Sequence, residues 1–448
     1  MRCNARDRAS ARTFRVAATR GSFRSLVKPP SWSAPCLLAG ALCGLAFLPA
    51  AAQPVLPPTS AGPIESRSLA AAFEAAWSRA VQQRQAAGAT RQAQASRTAA
   101  DSLWPSSPAL EWSHRDGRKA SAEGSRESEV GIAWPLWMPG QRGARSASAD
   151  ADLAHASASE ASARLVLAGK VREAYWAVHA QVLEVRVARQ QAEVAQRLVK
   201  DVQRRVQAGD LAPADGLAAR AEEMSAEKAV AEAMTREASA RRAWTTLTGL
   251  QSLPEGSATA PTVAAAQVTT SSIDEHPDVR LAIQALAQAQ ARAEVVRSQR
   301  ADPPELYLRA RQERAQGGAN VNTLGVGMRI PLGTSGRNAP LEAAALTEVE
   351  VAEAILHRMQ VDKAAEREDA LAAFQAAQAQ LPRDRERAAL LRQRTTWVEQ
   401  AFGSGNTSLP ELLRAIDMAS QAELLAARQQ HALGAAHARL QQAFGLLP

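Results

Sequence analysis

Cysteine is almost missing from this sequence. Among 448 residues there are three, Cys3, Cys36 and Cys43, so beyond residue 43 no disulfide, thiolate metal site or cysteine nucleophile can form. Aromatic residues make up only 4% of the chain, and tyrosine occurs twice. No apolar run reaches the roughly 20 residues that a membrane-crossing helix requires. That absence says nothing against a β-barrel, in which only alternate residues face lipid. A phosphate-cradling glycine loop, an HExxH pair and a cysteine pair are also missing. The seven histidines (His114, His155, His179, His276, His357, His431 and His437) are scattered. Neither a metal site nor a cofactor is expected from them, and no enzyme is expected.

The basic excess is local. The formal net charge is +8, yet residues 1–52 hold eight of the 53 basic residues and only one acid, Asp7, leaving 45 basic and 44 acidic residues. A near-neutral remainder removes the electrostatic warrant for nucleic acid. Within 1–52 the basic stretch is followed by thirteen uncharged residues, Cys36 to Leu48, and then by Ala50, Ala51 and Ala52. A basic region, a short apolar region and small residues describe an export signal cut after Ala52. Neither Cys36 nor Cys43 has a lipoprotein context, so no lipid anchor is expected.

What the sequence has in quantity is repetition. Pro108, Gly131, Pro135, Gly140, Gly209 and Gly249 recur 196 residues later as Pro304, Gly327, Pro331, Gly336, Gly405 and Gly445. With 25 Gly and 23 Pro in the chain, about one such coincidence is expected by chance, so six mark an internal duplication. The expected organisation is a signal at 1–52, a first copy at 53–250, a linker at 251–271 and a second copy at 272–448.

Each copy opens with a helical stretch. In the first copy it covers Ser68 to Trp104 and ends at Pro105 and Pro108. Two alternating runs follow. One face carries Leu110 and Trp112, then Val130, Ile132 and Trp134; the second copy repeats it with Leu306 and Leu308, then Val326, Met328 and Ile330. The opposite face carries Glu111, Glu305, Arg309 and Arg329, which read as a wetted wall. Period-2 alternation is the strand signal, and about 9–11 residues suffice for a tilted transmembrane strand. Trp104, Trp112, Trp134 and Trp137 cluster at the first hairpin, as an interfacial girdle does. The alternative is a soluble sandwich edge with its apolar face on a core. Four strands cannot close a water-filled barrel, so several chains are required.

Long helices follow, from Arg142 to Gln207 and from about Leu341 to Phe402, the second with a kink expected at Pro382. Val171, Tyr175, Val178, Val182, Val185, Ala192, Val199 and Val206 form a heptad-like seam, with Arg189, Gln196 and Gln203 taken at the intervening steps. The helices end at Gly209-Asp210 and Gly405-Asn406, and Pro213 and Pro410 start the returning helices.

This arrangement resembles the TolC-type outer-membrane efflux channels over essentially all of the chain beyond the signal. The most specific marks are the duplication, the segment Ile132 to Arg142 with its Pro135-Leu136 step, and its partner Met328 to Gly333. His276-Pro277-Asp278-Val279 and Arg300-Ala301-Asp302-Pro303 are most similar to the cobalt-zinc-cadmium branch. The resemblance implies a mainly α fold with a membrane β-barrel portion. A homotrimer would close a 12-stranded barrel in outer-membrane lipid and continue as a periplasmic α-helical tunnel. It also implies a periplasmic adaptor and an inner-membrane RND-type pump as partners, with export of heavy-metal cations. Drug efflux, type I protein secretion and a periplasmic coiled-coil adaptor or scaffold are the alternatives. The turns Gly209, Asp210, Gly405 and Asn406 become the adaptor-docking gate. Asp215 and Glu411, each six residues past a turn glycine, match a family acid at the entrance, and Arg220 matches a family arginine. Arg414, Phe402 and Thr407 stand where other family members have an acid, a tyrosine and an arginine. Helix N-terminal charge is an equally good reading of Asp215, Arg220 and Glu411.

Overall fold

The structure is a computed structural model that describes residues 68–117, 125–254, 272–315 and 318–448. The expected signal and the arm that follows it lie outside the described residues, as does most of the expected linker.

The element order runs twice. In the first pass α1 (Leu69–Arg79) and α2 (Val81–Ala100) precede β1 (Ala109–Asp116), β2 (Arg126–Pro135), α3 (Gln141–Ala208) and α4 (Pro213–Thr248). In the second, a 3-10 turn at Ile273–Glu275 and α5 (Pro277–Ser298) precede β3 (Glu305–Arg314), β4 (Asn320–Arg329), α6 (Ser335–Gly403) and α7 (Leu409–Ala443). The hairpin registers coincide under the 196-residue offset. Glu111 pairs with Gly131 in the first hairpin, and Tyr307 pairs with Gly327 in the second.

The expected single helix over Ser68 to Trp104 is instead two helices. Ala80 is extended, with φ −69° and ψ 137°, and the second of them stops at Ala100. Nothing local in Ala80 breaks a helix. The cause is visible in the repeat: 196 residues on stands His276, with φ −63° and ψ 131°, followed by Pro277 at the first turn of α5. The same corner exists in both copies, and only the second carries the proline that announces it. In the first, tertiary packing imposes it. Ala72, Phe73, Ala76 and Trp77 of α1 are buried, and two of them, Ala72 and Ala76, join a cluster with Val171, Tyr175, Val178 and Trp244.

At 68 and 69 residues, α3 and α6 are each about 100 Å long at 1.5 Å per residue. The apolar seam of α3 is real but its frame differs from the expected one. Val185, Ala188, Ala192, Ala195, Val199 and Val202 are buried, whereas Arg189, Gln196 and Gln203 are exposed. Steps of 3 and 4 can run in either order from Val185, and burial selects the order that meets alanine and valine rather than arginine and glutamine. In α6 the helix starts at Ser335, before Pro340, and continues through Pro382 without a break.

Glycine is required at the corners. Gly209, Gly249, Gly405 and Gly445 end helices with φ between 74° and 85°, a left-handed conformation costly for other residues. Gly434 in α7 serves close packing, because a Cβ there would lie 2.1 Å from the Trp176 ring on α3.

Gly434→Ala is expected to lower the melting temperature, although the same change in an open helix gains about 1 kcal/mol; overpacking costs about 1–3 kcal/mol. In a Trp176→Ala background the sign should reverse, and thermal melts of the four proteins check this. A second expectation concerns acid. His155, His179, His276, His431 and His437 are all held below the ordinary imidazole value, with burial the largest cause in each. The unfolded chain therefore takes up protons first. This stability is complete above about pH 6.5 and is lost as pH falls through the lowered folded values. Melts at descending pH should show the loss, and His179→Gln with His431→Gln should shrink it.

Candidate functional site

The sheet has the order β1-β2-β3-β4, antiparallel throughout, so β1 and β4 each have an open edge. Directly paired residues share a face, and the pairing places the predicted apolar residues in three rows. Trp134, Leu306 and Met328 form the row nearest the helices; Leu110, Ile132, Leu308 and Val326 form the next; Trp112, Val130, Ala310 and Leu324 form the third. These side chains are not covered: Leu110 is 74% exposed, Trp112 73% and Val326 72%. Ile330 continues the face beyond the end of β4 and is also exposed. No described element packs on this face as the other half of a sandwich would.

The opposite face is charged and paired. Arg309 reaches Glu111 (3.4 Å) and Glu129 (3.5 Å), Arg311 reaches Glu127 (3.1 Å), and Arg329 reaches Glu305 (2.6 Å). Small residues on this face make room for larger neighbours. A Cβ on Gly327 would sit 2.2 Å from the Tyr307 ring, and the Arg309 guanidinium lies 4.4 Å from that ring's centre.

At the base of the sheet, Asp302 forms a forked pair with Arg337 (2.7 and 3.1 Å). Its carboxyl is held below the usual range by those hydrogen bonds and by the guanidinium charge. Asn338 Nδ2 donates to the Arg300 carbonyl (2.9 Å), which leaves Gly333 no space for a side chain. The Arg300 to Pro303 segment thus clamps the start of α6.

At the far ends of the long helices the two turns are copies in hydrogen-bond detail. Asp210 N donates to Arg205 O (2.9 Å), and Asn406 N donates to Ala401 O (2.8 Å). Gly209, Asp210, Gly405 and Asn406 are exposed. Asp215 turns back to accept from Ala212 N (3.3 Å), Glu411 accepts from the Thr407 hydroxyl (3.3 Å), and Arg220 pairs with Glu223 one turn along its own helix. Arg414 is exposed. Within one chain, then, Asp215 caps the start of α4 while Glu411 stays in the first turn of α7 beside Thr407, and the sheet and the turns lie at opposite ends of the long helices.

Sequence reasoning missed the residue that joins the turns. Arg205 donates to Phe402 O and Gly403 O, each at 2.9 Å, and lies 4.8 Å from the Phe402 ring centre. It closes the carbonyl end of α6 from α3, over a cluster of Val199, Val202, Ala219, Phe402, Leu409 and Leu412. Its only sequence signal is a position one turn before Gly209. A second such residue is Arg172, buried on α3, which donates to Gln442 Oε1 (2.6 Å) and Leu446 O (2.8 Å). Burial lowers its pKa to about 10. Gln442 in turn lies over Gly169 in the middle of α3.

A sheet with one bare apolar face, continued by hairpins of very long helices, is the fold of the outer-membrane efflux channels. CusC superposes with a TM-score of 0.69 at 17% identity, covering 84% of this chain and 92% of CusC. VceC of Vibrio cholerae gives 0.69 at 17%, covering 84% and 96%. CmeC of Campylobacter jejuni gives 0.67 at 15%, covering 84% and 85%. Residues 74–250, which take in most of the first copy, match the family described as outer membrane efflux protein, and the second copy repeats the architecture of that segment. The cobalt-zinc-cadmium resistance protein CzcC of Cupriavidus metallidurans is 29% identical over 236 residues, which span 52% of this chain and 55% of CzcC.

Replacing Arg205 with alanine is expected to cost about 1.5–3 kcal/mol, as for hydrogen bonds to a charged group, and to loosen the turns first. Amide exchange over residues 198–211 and 402–412 should speed up while the middle of α3 is unchanged. Arg205→Lys should recover little, since an ammonium lacks the guanidinium fork.

Proposed function

We propose that the chain is one third of a homotrimeric exit duct in the outer membrane, extending into the periplasm. The observation that carries this reading is the open four-stranded sheet whose apolar face is bare and whose charged face is internally paired. In lipid, every strand N–H and C=O must be bonded within protein, and two open edges forbid that in a single chain. Three copies joined edge to edge give twelve strands and no edge. The apolar rows then face lipid, and the Glu111 and Arg309 face lines the pore. The helices supply the same argument. Leu341, Leu346, Val351, Ile355, Val361, Leu390 and Trp397 of α6 are exposed in one chain, an amount of bare surface that suits contact with neighbouring copies.

The helical part forms the periplasmic tunnel. Gly209, Asp210, Asp215, Arg220, Gly405, Asn406, Glu411 and Arg414 sit at the adaptor-facing entrance. The inner-membrane partner is an RND-type pump, which supplies the energy, and the duct itself performs no catalysis. Similarity to a cobalt-zinc-cadmium resistance protein, over about half of that protein, supports divalent heavy-metal ions as the cargo.

Val326→Lys is the direct test of the membrane face, since a lysine at the bilayer midplane costs about 2–4 kcal/mol per chain. The wild type should fractionate with outer membranes as heat-resistant trimers, and the variant should not. A soluble, non-trimeric wild-type protein would contradict the duct. For the cargo, a deletion strain should become sensitive to zinc, cobalt and cadmium and recover with the intact gene. Sensitivity confined to dyes and antibiotics would reassign the cargo to drugs.

A further inference from the structure

The two faces of the sheet treat arginine differently. On the pore-side face every arginine has a carboxylate: Arg115 with Glu127, Arg309 with Glu111 and Glu129, Arg311 with Glu127 and Glu313, and Arg329 with Glu305. On the apolar face the order of rows toward the hairpin ends is distinctive. After the third apolar row comes a polar one, His114, Ser128, Gln312 and Asn322, bonded in pairs: the His114 ring to Ser128 (3.0 Å), and Gln312 Nε2 to Asn322 Oδ1 (3.1 Å). One row further, Arg126 stands directly opposite Arg314, flanked by Asp116 and Asn320. Like charges directly across a ladder repel. Asp116 serves Arg126 at 3.5 Å, and Arg314 has no ion-pair partner among the described residues.

We propose that Arg126 and Arg314 form a seat for the phosphate group of an outer-leaflet lipid. The proposal rests on reading the sheet as a membrane wall and adds to that reading a ligand chemistry. The height fits. The arginine row lies four residues past the last apolar row, about 13 Å along the strand at 3.3 Å per residue. At the usual tilt of 35–45° that is about 10 Å along the membrane normal, outside the apolar rows and toward the outer edge of the headgroup layer, which adds about 5–8 Å to each side of the hydrocarbon core. The chemistry fits as well. An anion between two guanidinium groups turns their repulsion into attraction, and the planar fork matches phosphate oxygens. Acyl chains of the same lipid then lie on the apolar rows below, the uppermost of which carries Trp112. A phosphorylated glycolipid and a glycerophospholipid share this chemistry.

The test uses the full-length trimer in detergent, as wild type, Arg314→Gln and Arg126→Gln/Arg314→Gln. Bisphosphorylated lipid A, its dephosphorylated form and phosphatidylglycerol are the probes, and retained lipid is read by native mass spectrometry. The double variant should hold phosphorylated lipid at least tenfold more weakly than wild type, and all three proteins should hold the dephosphorylated lipid alike. Preference for lipid A over phosphatidylglycerol assigns the seat to the glycolipid; the opposite preference assigns it to the phospholipid. Equal retention of phosphorylated lipid by wild type and double variant overturns the proposal, as does equal retention of both lipid A forms by wild type. Arg314→Gln leaves the Asp116 pair intact, so it carries the test should the double variant fail to assemble. A wild type that forms no membrane trimer fails the duct reading instead, and fractionation scores that separately.

Discussion

The constraint behind this structure is the hydrogen bonding of strand edges. A four-stranded sheet with β1 and β4 open and with Leu110, Trp112 and Val326 bare is stable neither alone in water nor alone in lipid. Water penalises the apolar face, and lipid penalises the unpaired backbone. Closing the sheet through further copies meets both demands. The rest of the chain is compatible with that closure and gains from it. The long helix α6 buries few of its own apolar side chains, and in the proposed barrel the paired charges of the opposite face would stay solvated while the apolar face meets lipid.

Duplication makes the closure regular. Because the two hairpins share one register under the offset of 196 residues, the chain presents equivalent strand pairs side by side, so that in the proposed trimer the barrel would approximate a six-fold repeat of one hairpin. The glycines that end helices recur for the same reason. Gly209 with Gly405 and Gly249 with Gly445 keep left-handed conformations in both copies, while Gly140 keeps one and Gly336 falls inside the first turn of α6. The departure matches the earlier start of that helix, which takes in Pro340.

Much of this was legible because the signals were periodic. Alternation at 110–112, 130–134, 306–308 and 326–330 named the apolar face, and the proline and glycine offset gave the order of elements. Where periodicity admitted two frames, the sequence could not choose. The α3 seam runs through Ala188, Ala195 and Val202 because burial, absent from a string of letters, rejects Arg189, Gln196 and Gln203. The corner at Ala80 was hidden because alanine carries no local instruction; its twin at His276 and Pro277 would have revealed it had the offset been applied there. Arg205 and Arg172 escaped for another reason. Their partners, Phe402 and Gln442, lie 197 and 270 residues away, and the acceptors include main-chain carbonyls that no side-chain pattern encodes.

The turns show how composition changes the physics of an entrance. Resemblance alone would match Asp215, Arg220 and Glu411 to charged residues at the entrance, yet in one protomer each of them is engaged within its own helix or turn. What joins α3 to α6 at this end is burial of Phe402, Leu409 and Leu412 together with the Arg205 fork. Exposed ion pairs weaken with salt, whereas apolar burial and hydrogen bonds to carbonyls respond to it far less. In the proposed duct, the two hairpins of a protomer therefore move most cheaply as a unit at the entrance, because parting them exposes a phenylalanine and two leucines, each contributing about 1.5–3 kcal/mol when fully buried. An adaptor that opens the tunnel then has to act between protomers, where the exposed faces of α4 and α6 leave charged and apolar side chains free to exchange partners.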